Sequence, residues 1–100
     1  YTQCVARLDA LDWDVTRAFA AHVEAGRVEL MGSAATHAVL PLLATDESVR
    51  LQLALGRLAH ARTFGAAPRG VWLPECAYRP RGWWQPAPWA PSPRVRDGID

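Results

Sequence analysis

What most limits the folds open to this chain is one long helical pattern set between two short β-type runs. The helix is expected from Thr45 or Asp46 to about Phe64. Asp46 and Glu47 suit the positive end of its dipole, His60 and Arg62 the negative end, and Gly65 closes it. Leu51, Leu55, Leu58 and Ala59 line one face; Arg50, Ala54, Arg57 and Ala61 line another. Upstream, Arg27-Val28-Glu29-Leu30-Met31 reads as a strand, with Val28 and Leu30 on one side. Downstream, Val71-Trp72-Leu73 follows a Pro68-Arg69-Gly70 turn and is stopped by Pro74, which has no N–H to give a ladder. Two strands joined through such a helix must be parallel, with a right-handed crossover. The expectation is therefore a βαβ unit of the α/β class, in which functional groups collect at the carboxyl ends of the strands.

The remaining segments are read around that unit. A shorter helix is expected from Asp14, a good N-cap, with Val15, Ala18, Phe19, His22 and Val23 on its apolar face and Gly26 as its stop. Residues 1–13 are less distinctive and include the end of another helix. Residues 32–43 read as an irregular loop with a short helical turn, and His37 lies within it. Beyond Pro80 the chain is rich in Pro and Trp, with prolines at 80, 86, 88, 91 and 93, a pattern incompatible with a helix or a central strand. It is expected to be an extended loop packed on something, with the start of a further helix near Asp97 and Asp100.

Composition narrows the function. Eleven basic and ten acidic residues give a net charge of +1, so nothing electrostatic calls for nucleic acid or an anionic membrane as partner. No apolar run approaches the ~20 residues of a membrane span. The two cysteines, Cys4 and Cys76, suit neither a disulfide framework nor a zinc site and are expected to be reduced thiols of a cytoplasmic protein. No metal or cofactor is expected. Four of the five tryptophans (Trp72, Trp83, Trp84, Trp89) fall between residues 72 and 89. Their faces suit both sugar rings and ordinary packing.

The residue best placed for chemistry is Glu75. It leaves the second strand just after Pro74 in Gly70-Val71-Trp72-Leu73-Pro74-Glu75-Cys76-Ala77-Tyr78-Arg79-Pro80. A carboxylate held there is rigid and faces the strand tips. By position alone, such a residue is more often an ordinary surface Glu.

This segment closely resembles the nucleophile motif of glycoside hydrolase family 57. Gly26-Arg27-Val28-Glu29-Leu30-Met31 resembles the family's preceding signature. Its continuation through Gly32-Ser33-Ala34-Ala35-Thr36-His37-Ala38-Val39-Leu40-Pro41-Leu42-Leu43 is similar to the subgroup of 1,4-α-glucan branching enzymes. His37 precedes Glu75 by 38 residues, as in that subgroup. The resemblance spans roughly residues 14–100.

It implies that the whole chain, residues 1–100, is part of a catalytic domain, an incomplete (β/α)7 TIM-like barrel truncated at both ends. A closed barrel needs roughly 250 residues. It implies that Glu75 attacks the anomeric carbon of an α-1,4-glucan and forms a covalent glycosyl-enzyme. The acceptor's 6-hydroxyl then makes an α-1,6 branch with retained configuration. His37 is implied as a donor-side substrate-binding residue. Trp72 and Tyr78 are the other candidates for contact with sugar; packing for Trp72, and pinning of the loop for Tyr78 and Arg79, are their alternatives. Glu29 either orients neighbours inside the barrel or pairs with a nearby Arg. The family's acid/base Asp would lie past residue 100 and its first-strand histidines before residue 1, so the 100 residues alone are expected to be inactive. The competing activities are a family 57 α-amylase, a glucan-binding protein without catalysis, and a metal-dependent deacetylase, whose Asp/His/His set is not found.

Overall fold

The computed structural model describes residues 1–85 and the backbone of 94–96. Helix α1 runs Thr2–Asp9, α2 Val15–Glu24 and α3 Asp46–Phe64; β1 is Gly82–Trp84 and β2 Arg94–Arg96. Two 3-10 turns, Leu40–Leu42 and Pro74–Cys76, complete the elements.

Local chemistry sets the helix ends. The Asp14 carboxylate accepts from the Arg17 N–H at the start of α2, and the Thr45 hydroxyl accepts from the Ser48 N–H at the start of α3. Gly26 (φ 66°) and Gly65 (φ 79°) stop these helices in the left-handed conformation that glycine adopts without a steric penalty. The expected α3 is reproduced end to end.

Neither of the two faces read from the sequence is the packed one. Leu51, Leu55 and Leu58 are exposed, and the packed side of α3 carries Val49, Gln52, Leu53 and Gly56 instead. Both stripes satisfy helical spacing. The second wins because it meets the 33–37 loop, and Gly56 lets the two backbones approach: a Cβ there would lie 2.0 Å from the Ser33 carbonyl oxygen. The small core lies beneath that contact. Ala34, Leu40 and Val49 are buried, and Leu43, Leu53 and Leu73 pack against them.

The two expected strands correspond to extended segments that meet at one parallel bridge, Gly32 to Val71. The Gly32 N–H donates to the Gly70 carbonyl and the Trp72 N–H to the Gly32 carbonyl, both at 2.9 Å. The parallel sense and the crossover through α3 agree with the sequence reading, but Arg27–Met31 and Val71–Leu73 are not strands. A parallel ladder of two short runs has too few hydrogen bonds to persist without further neighbours. The Pro/Trp-rich tail also departs from expectation: β1 and β2 pair antiparallel, with Trp83 opposite Val95. Pro86 to Pro93, Trp89, Asp97 and Asp100 lie outside the described residues.

Candidate active site

Two loops, one on each side of the parallel bridge, bring Glu75 and His37 together. Glu75 sits in the Pro74–Cys76 turn. Pro74 is fully buried and anchors the turn, while the N–H groups of Cys76 and Ala77 donate to the carbonyls of Leu73 and Pro74. Glu75 (φ 56°), Cys76 (φ 53°) and His37 (φ 55°) all occupy the left-handed region. For residues with a Cβ this costs on the order of 1–2 kcal/mol each, and such strain concentrates where a side chain must point in one direction.

The result is a direct contact: His37 Nε2 lies 3.0 Å from Glu75 Oε1. With the carboxylate ionised, the imidazole N–H donates to it. Both side chains are open to solvent in this segment, 62% and 70% exposed.

The loop carrying His37 is clamped from α3. The Gln52 side-chain carbonyl accepts from the Thr36 N–H at 3.0 Å and from the Thr36 hydroxyl at 3.2 Å, and the Gln52 main-chain carbonyl accepts from the Ala35 N–H at 3.1 Å. The His37 N–H donates to the Ala34 carbonyl. On the other side, the Ser33 hydroxyl donates to the Trp72 carbonyl at 3.0 Å, tying the His37 loop to the segment that leads to Glu75.

Trp72 thus enters the site region through its backbone, and the residue is exposed in this segment. Tyr78 is likewise exposed, three residues beyond Glu75. Arg79 is buried, donates to the Pro80 carbonyl and lies 5.5 Å from the Trp84 ring centre. Glu29 takes the simpler of its two readings: it faces Arg69 across 3.9 Å, with both side chains exposed. His22 accepts from Arg27 Nε, and His60 packs on Phe64 while its Nδ1 lies 3.0 Å from the Ala66 carbonyl.

Cys4 and Cys76 are free and exposed. Among the described residues no group of three or more His, Cys, Asp or Glu is arranged to hold a metal ion, and no helix is long and apolar enough to cross a membrane.

Gln52, Thr36, Ser33 and Gly56 were not singled out from the sequence. One signal for the first was present: a Gln at helical spacing between Val49, Leu53 and Gly56 is a polar group on a packed face, and such a group needs a partner.

In the sequence reading, a carboxylate and an imidazole held in contact at the exit of a parallel-bridged segment are the machinery of a carbohydrate-active enzyme, and the comparisons with known proteins bear out the family. Residues 7–83 match glycosyl hydrolase family 57, and the chain belongs to that family. It is 55% identical over 60 residues to a 1,4-alpha-glucan branching enzyme of Thermococcus kodakarensis, an overlap covering 60% of this chain and 9% of that protein. It is 43% identical over 63 residues to a probable 1,4-alpha-glucan branching enzyme of Mycobacterium tuberculosis, covering 58% of this chain and 11% of the relative. The crystal structure of a GH57-type branching enzyme from Pyrococcus horikoshii superposes with a TM-score of 0.90 at 39% identity, over 99% of this chain and 18% of that one. The chain therefore spans about a tenth of the length of the curated relatives it matches.

Proposed function

We propose that this chain is the part of a 1,4-α-glucan branching enzyme that supplies the nucleophile, Glu75, within a catalytic (β/α)7 barrel domain. The single parallel bridge between residues 32 and 71 is then one rung of the barrel sheet. The observation that carries the reading is the 3.0 Å contact of His37 with Glu75, both in strained backbone and both open to solvent.

The chemistry follows from that geometry. The His37 N–H fixes Oε1, leaving Oε2 to attack C1 of an α-1,4-linked glucose unit. The C1–O4 bond breaks, and a carboxylic acid elsewhere in the enzyme gives its proton to the departing oxygen. The ester on Glu75 is then displaced by the 6-hydroxyl of a second glucan chain, whose proton returns to that acid. Two inversions at C1 restore the α configuration, which requires the two carboxyl groups about 5–5.5 Å apart. A carboxylate suits both steps, as nucleophile and as leaving group. His37, Trp72 and Tyr78 are the residues proposed to meet the sugar. An α-1,4-glucan substrate, a cytoplasmic location and a role in glycogen-type synthesis go with this assignment.

The test uses the full-length protein. Incubated with amylose, it should form α-1,6 linkages in excess of new reducing ends; an excess of reducing ends would make it an α-amylase. A fluorinated α-glucosyl substrate should label Glu75, located by peptide mapping. Glu75→Gln should lower the rate by roughly 10³-fold or more. A label on another carboxylate, or an active Glu75→Gln variant, would refute the assignment.

A further inference from the structure

A nucleophile must be held to within a fraction of an ångström of its productive geometry, and the groups that hold it need not touch the substrate. Among the described residues, Glu75 has one hydrogen-bonding neighbour from outside its own turn, His37. The position of His37 therefore decides which way the carboxylate is turned. His37 in turn sits in left-handed backbone, a conformation it would leave if its loop were free.

Three bonds to one residue hold that loop. Gln52 takes the Thr36 N–H and hydroxyl on its side-chain carbonyl and the Ala35 N–H on its main-chain carbonyl. These are the two residues immediately before His37. Gly56, one turn further along α3, leaves the space in which the Ser33 backbone lies against the helix. We infer that Gln52 is a positioning residue for the nucleophile: its side-chain carbonyl fixes Thr36 beside the main-chain bond that holds Ala35, this sets His37 in its left-handed conformation, and His37 orients the Glu75 carboxylate.

The inference rests on the assignment of Glu75 above and makes a demand that a purely structural Gln52 would not meet. A residue that only supports folding lowers the melting temperature and leaves kcat per folded molecule alone. A residue that acts through His37 lowers kcat, and its effect disappears once the His37 imidazole is gone.

The experiment uses the full-length protein with amylose as substrate and measures kcat, KM and the rate of Glu75 labelling by a fluorinated glucosyl substrate. Gln52→Leu keeps roughly the volume and removes the side-chain acceptor, leaving the main-chain bond from Ala35 in place. It should lower kcat and the labelling rate by roughly 10-fold, with KM changed much less, since a displacement of about 1 Å costs up to 10²-fold. Gln52→Glu keeps a side-chain oxygen as acceptor and should recover most of that loss. In a His37→Ala background, Gln52→Leu should cost less than about twofold more, because residues acting as one unit are not additive. Should Gln52→Leu fail to fold, Thr36→Val removes the hydroxyl bond alone and should give a smaller loss in kcat, again absent in the His37→Ala background.

A Gln52→Leu protein with the parent's kcat, or a loss that adds in full to that of His37→Ala, overturns the inference. Neither result touches the assignment of Glu75, which is tested separately by Glu75→Gln and the site of labelling. An active Glu75→Gln protein removes both.

Discussion

Gly56→Ala is the substitution whose sign depends most on the packing of this segment. On an exposed helix face the change should stabilise by about 1 kcal/mol, because Ala is the better helix former. Here the new Cβ would lie 2.0 Å from the Ser33 carbonyl oxygen, 3.2 Å from its carbon and 3.3 Å from the Ala35 nitrogen. All three are backbone atoms, so no rotamer change relieves the overlap. An ordinary carbon–oxygen contact is about 3.3 Å or longer, which requires the loop to withdraw by about 1.3 Å. That movement strains the packed face by about 1–3 kcal/mol. It also stretches the bonds from Ala35 and Thr36 to Gln52, worth about 1 kcal/mol each. Set against the gain in helix propensity, the net is a loss of about 2–4 kcal/mol. Thermal or urea unfolding of the full-length protein, parent against Gly56→Ala, reads this directly. The same samples should show a lower kcat on amylose, since His37 moves with the loop. A Gly56→Ala protein more stable than the parent would refute the close approach of helix and loop, and with it the account of how His37 is held.

Thr45→Ala removes the hydroxyl that accepts from the Ser48 N–H and should cost about 1 kcal/mol in the same unfolding assay, with little change in kcat; an unaltered midpoint would show that α3 is capped otherwise. Asp14 gives a pH prediction. The Thr16 hydroxyl at 2.6 Å, then the Arg17 N–H at 3.1 Å, hold its carboxyl below the usual carboxylate range. With the folded value depressed, the stabilisation is complete above the unfolded value near 3.8 and is lost as pH falls through the folded value. The stability gap between parent and Asp14→Ala should therefore be constant above about pH 5 and narrow on further acidification; a gap that widens in acid would contradict the sign.

Helix ends were legible in the sequence because they are decided locally. Asp14, Thr45, Gly26 and Gly65 each act on backbone groups within a few residues, and α2 and α3 begin and end where those residues place them. Which side of α3 would be packed was not legible. The Leu51–Leu55–Leu58 and Val49–Gln52–Leu53–Gly56 stripes have the same period, and the richer apolar stripe is the exposed one. What separates them is the absence of a side chain at Gly56, and its value depends on a loop about twenty residues away in sequence. The strands failed for a related reason. Alternation in Arg27–Met31 and the run Val71–Leu73 describe how a residue would sit in a sheet, whereas the ladder itself depends on neighbours, and here it shrinks to one bridge. The Glu75–His37 pair was reached through the family motif; Gln52 could be read only as a polar residue in need of a partner, and nothing local named the Ala35–Thr36 loop as that partner.

The segment buries few hydrophobic residues yet defines the Glu75–His37 contact closely, and the two facts have different physical sources. Only Ala34, Leu40 and Val49 form a buried hydrophobic core among the described residues. The surface of 7686 Å² exceeds the roughly 5,600 Å² expected of a closed globule of 11.0 kDa. Large apolar side chains on α2 and α3, Phe19, Leu51, Leu55 and Leu58 among them, remain open. A slice of a larger α/β domain has this character, since most of its stabilising area is shared with what surrounds it. The site does not draw on that area. It is assembled from short-range hydrogen bonds: the 3-10 turn around Glu75, the Ser33 bond to the Trp72 carbonyl, and the Gln52 clamp. Each acts over a few ångströms, and each involves the backbone of a loop or turn that carries the pair. Burial of the open faces would then supply the free energy that keeps three left-handed residues in place, while these bonds decide where the carboxylate points. It follows that substitutions on the Leu51–Leu55–Leu58 stripe should lower the stability of the full-length protein while leaving its kcat per folded molecule intact, whereas substitutions at Gln52 should lower kcat per folded molecule as well.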